Sequence, residues 1–165
     1  MHPNDMKSAI ALGSNLGDSR AALKGALEQL GQTAGITVTQ YSRWYQTPPV
    51  GPPQPDYLNG CALLQVTLSP RQLLETLLQV EVRFGRVRRE RNGPRTLDLD
   101  LLLFEDLVLD TPFLQIPHPR MNDRAFVLIP LAEIAPDWVE PVTGKTIAAL
   151  AQRVDGTGIN PVEKA

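Results

Sequence analysis

A single cysteine, Cys61, among 165 residues excludes an internal disulfide framework. Aromatic residues are also scarce, at 5% of the chain. That scarcity weighs against an RNA-recognition module, whose sheet must carry stacked aromatic side chains. Neither sign of charge dominates, because 16 Lys and Arg stand against 18 Asp and Glu for a formal net charge of −2. The general positive field of a nucleic-acid binder is therefore missing, although a local basic site is not excluded. No apolar stretch approaches the roughly 20 residues of a membrane helix. No charged-then-apolar leader opens the chain, so a soluble cytoplasmic protein with no membrane or nucleic-acid partner is the expectation.

What is present suits a folded domain. Hydrophobic residues make up 42% of the chain and charged residues 21%, the balance of a globular protein. No repeat or linker divides it, so a single domain over 1–165 is expected, with its core at about 8–153 and a loose C-terminal tail. An apolar run at 8–12 reads as a strand, Gly13-Ser14-Asn15 and Gly17-Asp18 as turn and helix start. Leu23, Ala26, Leu27 and Leu30 recur at helical spacing. A β-branched and aromatic stretch at 36–46 reads as a strand ended by prolines, and a further strand runs from 57 to about 68. Ser69-Pro70 with Gln72 has the form of a capped helix start. The apolar stripe that follows comprises Leu73, Leu74, Leu77, Leu78, Val80 and Phe84. Residues 96–104 form the last clear core strand. Later elements are shorter: a strand at 107–109, a helix capped by Asp123 and another capped by Thr146. This order is α+β, a ferredoxin-like βαββαβ core with a mainly antiparallel sheet and C-terminal additions.

In Thr96-Leu97-Asp98-Leu99-Asp100-Leu101, period-two alternation puts both aspartates on one face and the leucines on the other. Two hard carboxylates so placed can hold magnesium, though a solvated strand face has the same pattern. Just upstream, Arg83, Arg86, Arg88, Arg89, Arg91 and Arg95 crowd together without a lysine. Guanidinium forks match phosphate oxygens bidentately, and beside paired carboxylates they form the parts of a polyphosphate site, though a solvated charge run with surface ion pairs has the same pattern, Arg83 and Arg89 above all. Glu81 sits above Leu74 at the edge of the apolar stripe, where a snorkelling carboxylate is the plainer explanation. His118 is held between prolines in Pro117-His118-Pro119. Tyr57 and Asn59 share a strand face, an aromatic plane beside an amide, which suits a flat heterocycle or a half-buried strand equally. Cys61, on that face, reads as packing. Gly144-Lys145-Thr146 resembles the end of a phosphate loop, but Val139 stands where its first glycine belongs, so the segment reads as a turn before a helix.

Taken together, several blocks resemble the 6-hydroxymethyl-7,8-dihydropterin pyrophosphokinase family. They include Ala11-Leu12-Gly13-Ser14-Asn15-Leu16-Gly17, Thr47-Pro48-Pro49-Val50-Gly51, Pro55-Asp56-Tyr57-Leu58-Asn59, Gly93-Pro94-Arg95-Thr96-Leu97-Asp98-Leu99-Asp100 and Ile116-Pro117-His118-Pro119-Arg120-Met121. The resemblance implies two magnesium ions, ATP as co-substrate, and pyrophosphoryl transfer to a pterin alcohol by a monomer in folate biosynthesis. It implies Asp98 and Asp100 as metal ligands, acting in catalysis with Arg86, Arg88 and Arg95. Glu81, Leu101, His118 and Arg124, with Arg88 and Arg95, would lie around ATP. Thr47, Pro48, Val50, Tyr57, Asn59 and Phe126 would form the pterin pocket, with Tyr57 and Phe126 sandwiching the ring. Leu78, Asn92, Phe113 and Gln115 depart from the family's usual residues. A ferredoxin-like RNA-binding module and a nucleotidyl-transfer enzyme with another acceptor are the alternatives.

Overall fold

The computed structural model describes residues 5–49, 51–85 and 96–162. Its centre is the first strand, β1 (Met6–Ser14), buried from Ser8 onward. One edge of β1 pairs antiparallel with β4 (Tyr57–Val66) and the other with β5 (Asp98–Phe104). Beyond β4 lie β2 (Ile36–Tyr41) and β3 (Tyr45–Thr47), both antiparallel to it. The stretch expected as one strand at 36–46 is thus two. The break has a physical cause across the sheet: Ser42 Oγ accepts the Cys61 amide N–H at 2.9 Å, replacing a ladder bond. Trp44 meanwhile lies over Gly60, where a Cβ would come within 2.5 Å of its ring.

Helix α1 (Ser19–Gly31) is capped by Asp18, which accepts from the Ala21 amide, and buries the four expected residues. Helix α2 (Pro70–Arg83) starts with the expected capping box between Ser69 and Gln72. Its buried stripe is Leu73, Leu77, Val80 and Glu81, whereas Leu78 is 41% exposed and not part of the core. Both helices pack on one sheet face against Ile10, Leu12, Leu64, Leu99 and Leu101.

The opposite face is covered by α3 (Ala125–Ile134) and α4 (Ile147–Gln152), through Val127, Leu128, Leu131 and Leu150 on Ala9, Cys61, Leu63 and Leu103. Helix α4 takes its expected Thr146 cap, and the Gly144-Lys145-Thr146 segment is a turn with Gly144 at φ +73°. Helix α3 departs from expectation. Asp123 belongs to a 3-10 turn, Met121–Asp123, and the helix begins after Arg124 with no side-chain cap.

A small hairpin, β6 (Leu109–Asp110) with β7 (Gln115–Ile116), lies downstream of β5, two residues beyond the start of the strand expected at 107–109. Within the segment expected to be loose, β8 (Asn160–Pro161) pairs with β3. Mixed helices and an antiparallel sheet are therefore observed, with strand order β5-β1-β4-β3-β8 and β2 also on β4. Among the described residues no helix is long and apolar enough to cross a membrane.

Candidate active site

Directly opposed residues of antiparallel strands share a face, and the sheet register uses this to gather polar groups. Gly13 on β1 is flanked by Asp98 on β5 and Asn59 on β4. One alternation on, Ala11 is flanked by Asp100 and Cys61. Thr47 lies opposite Tyr57, and Tyr45 opposite Asn59. Helix α3 covers the part of this face carrying Ala9 and Leu63. Around Gly13 the face opens into a cavity of about 280 Å³.

The floor of that cavity is kept low by small residues. A Cβ on Gly13 would lie 2.6 Å from Asn59 Oδ1, so only glycine lets the amide lie across β1. The Asn59 Nδ2 donates to Thr47 Oγ1 at 2.6 Å, and both side chains are buried. Tyr57 and Pro48 also line it, together with Phe126 and Val127 from the first turn of α3. The Arg124 guanidinium sits 5.4 Å from the Phe126 ring centre.

A second cavity, of about 420 Å³, lies on the far side of β5. Leu74, Leu78 and Glu81 of α2, Leu101, the hairpin residues Phe113 and Gln115, and His118 line it. Asp98 and Asp100 line both cavities. Glu81 does not snorkel: it is 1% exposed, and its Oε2 accepts the Leu99 amide N–H at 2.7 Å. Leu99 stands between the two aspartates on the edge strand, so Glu81 takes a strand-edge donor that the sheet leaves unpaired. The His118 ring accepts the Arg120 amide N–H on Nδ1 at 3.2 Å, which leaves the proton on Nε2. Burial, then the Arg124 cation, outweigh the pull of Asp98 and push this imidazole down to about 4. It is neutral at physiological pH and presents a donor. The Cys61 thiol is pushed up by burial and by the charge of Asp100, so it packs and does not react.

The structure thus brings Thr47, Pro48, Tyr57, Asn59 and Phe126 to the first cavity, and Glu81, Leu101 and His118 to the second. Arg124, grouped with ATP by resemblance, lines the first. Val50, Arg86, Arg88 and Arg95 lie outside the described residues. Sequence reasoning missed Gly13, Arg120 and Asp123 as lining residues. Gly13 had a signal, since a glycine ending an apolar run can mark a close approach inside a strand as well as a turn. Arg120 and Asp123 lie in the polar stretch 118–124 and carry no periodic signal. Among the described residues no group of three or more His, Cys, Asp or Glu could hold a metal by itself. Asp98 and Asp100 suit a different arrangement, because magnesium usually takes one or two carboxylates and fills its octahedron with water and phosphate oxygens.

A family model described as 7,8-dihydro-6-hydroxymethylpterin-pyrophosphokinase matches residues 9–136. A Synechocystis sp. protein named 2-amino-4-hydroxy-6-hydroxymethyldihydropteridine pyrophosphokinase is 54% identical over 155 residues, covering 94% of this chain and 80% of its own. A Methylorubrum extorquens protein of the same name is 43% identical over 158 residues, covering 95% and 99%. The fold is similar to that of a solved Plasmodium falciparum HPPK-DHPS structure, with TM-score 0.70 over 90% of this chain at 12% identity. This chain spans 45% of that structure's length, and at that identity the likeness concerns the fold alone.

Proposed function

The chain belongs to the 7,8-dihydro-6-hydroxymethylpterin-pyrophosphokinase family, and from that premise we propose that its two cavities seat the two substrates on either side of Asp98 and Asp100. The enzyme transfers the pyrophosphoryl group of ATP to 6-hydroxymethyl-7,8-dihydropterin, giving the pterin diphosphate and AMP in folate biosynthesis. The observation that carries the site reading is the sharing of this carboxylate pair by both cavities. A group passing between substrates must cross such a border.

The first cavity takes the pterin. Tyr57 and Phe126 both line it and are the residues that sandwich the flat ring on this reading, and the Asn59 amide, tethered by Thr47, offers a fixed hydrogen-bonding edge. Pro48 lines the same pocket, and the family resemblance assigns Val50 to it. The second cavity takes ATP, with Leu101 on its apolar side and the neutral His118 donating from Nε2. Glu81 holds β5 through the Leu99 amide, which fixes the spacing of the aspartates and also borders the nucleotide. Asp98 and Asp100 would hold magnesium, with two ions expected, and the metal bound there would supply neutralisation of charge on the phosphate oxygens. Arg86, Arg88 and Arg95 grip the phosphates through paired donors, and Arg124 adds charge from the pterin side. Catalysis is then positioning and electrostatics. No side chain is assigned as general base, and the attacking hydroxyl gives up its proton to water, late in the transfer.

The antiparallel order β5-β1-β4-β3 with helices after β1 and β4 supports a ferredoxin-like core. We read residues 1–165 as one domain acting as a cytoplasmic monomer. The family match disfavours the RNA-binding and nucleotidyl-transfer alternatives.

Incubation with ATP, magnesium and the pterin alcohol should release AMP and pterin diphosphate in equal amounts, with neither formed when the pterin is omitted. Release of ADP, or AMP formation independent of pterin, would overturn the function.

A further inference from the structure

The pterin slot, on the reading above, has one wall on the sheet and one on α3, and something must set their separation. Apolar packing holds α3 to the sheet, but such contact is non-directional. The helix has no side-chain cap at its start and carries Pro130 within it. A directional fastener is present at its other end. Glu133 accepts the Arg43 amide N–H on Oε2 at 3.0 Å and the Arg43 Nε on Oε1 at 3.2 Å. The Tyr45 hydroxyl also donates to Glu133 Oε1. Partial burial works against the charge, yet the hydrogen bonds from Tyr45 and Arg43 hold the Glu133 carboxyl below its ordinary value.

Each end of this fastener connects to the slot. Tyr45 is 4% exposed, lies opposite Asn59, and precedes Thr47 by two residues on β3. Glu133 follows Phe126 by seven residues, close to two helical turns, so both lie on the same side of α3. Fixing Glu133 therefore fixes the rotation and height at which Phe126 lines the cavity. We propose that Glu133, with Tyr45 and Arg43, is a positioning unit that sets the width of the pterin slot without touching either substrate.

The test compares Tyr45→Phe, Glu133→Gln and Arg43→Ala with wild type, far below their melting temperatures. Calorimetry measures pterin binding in the presence of a non-reactive ATP analogue, and single-turnover kinetics measures transfer. Tyr45→Phe and Glu133→Gln should each weaken pterin binding roughly threefold to thirtyfold, the range for residues acting through others. Affinity for the ATP analogue and the transfer rate at saturating pterin should stay within about twofold, a split that general loss of stability does not produce. The double variant should lose less than the sum of the singles, because both break one unit. Arg43 is half exposed, so Arg43→Ala keeps the test available if the buried changes prevent folding. It should weaken pterin binding about twofold to threefold, as loss of one donor from the unit. Lowered melting temperatures with unchanged pterin affinity, or equal weakening of both ligands, would overturn the proposal. Asn59→Ala run alongside separates the two readings. If it weakens pterin binding while the Glu133 and Tyr45 variants do not, the pocket stands and the positioning unit falls; if no variant moves pterin affinity, the pocket assignment itself falls.

Discussion

Replacing either Asp98 or Asp100 by alanine should lower turnover at least about a hundredfold, the loss typical of removing one strong transition-state contact. Both side chains are half-buried on β5 at the border of the two cavities. The strand itself should survive, because Leu99 and Leu101 supply its core contacts and Glu81 its edge bond. Melting temperatures measured without magnesium should therefore stay near wild type. Two carboxylates on one strand face repel each other in the absence of a cation, and each substitution relieves that repulsion. Turnover of either variant within a few-fold of wild type at saturating magnesium would remove that residue from the site.

Asn59→Ala should weaken pterin binding by about fivefold to a hundredfold, corresponding to roughly 1–3 kcal/mol for losing a buried hydrogen-bonding partner. Two effects combine. The amide edge facing the ring disappears, and the buried Thr47 hydroxyl loses the donor that sits 2.6 Å away. The ATP analogue should be unaffected, because Asn59 lines only the first cavity. Calorimetry with each ligand decides it, and equal weakening of both would contradict a pocket dedicated to the pterin.

What could be read from sequence follows the range of the interactions involved. Helix α2 was legible because Ser69, Pro70 and Gln72 cap it locally. The aspartate pair was legible because alternation along one strand needs no partner to be known. The break between β2 and β3 was not, since it depends on Ser42 meeting Cys61 and Trp44 covering Gly60 on another strand. Glu81 was read as snorkelling because its partner, the Leu99 amide, lies 18 residues away and becomes a neighbour only when α2 packs on the sheet edge. Gly13 was read as a turn because its need for glycine comes from Asn59 across the ladder. The pairing of Asn160–Pro161 with β3 likewise has no local signature. The identities of the cavity-lining residues came from the family resemblance. Their division into two cavities around one carboxylate pair came from the register.

The most direct test of that division is a crystal structure of the ternary complex with a non-reactive ATP analogue and the pterin, grown with manganese in place of magnesium. Anomalous scattering should place the metal on Asp98 and Asp100, with the pterin ring between Tyr57 and Phe126 and the nucleotide on the His118 side. Metal density away from both aspartates, or the pterin ring on the His118 side, would contradict the account.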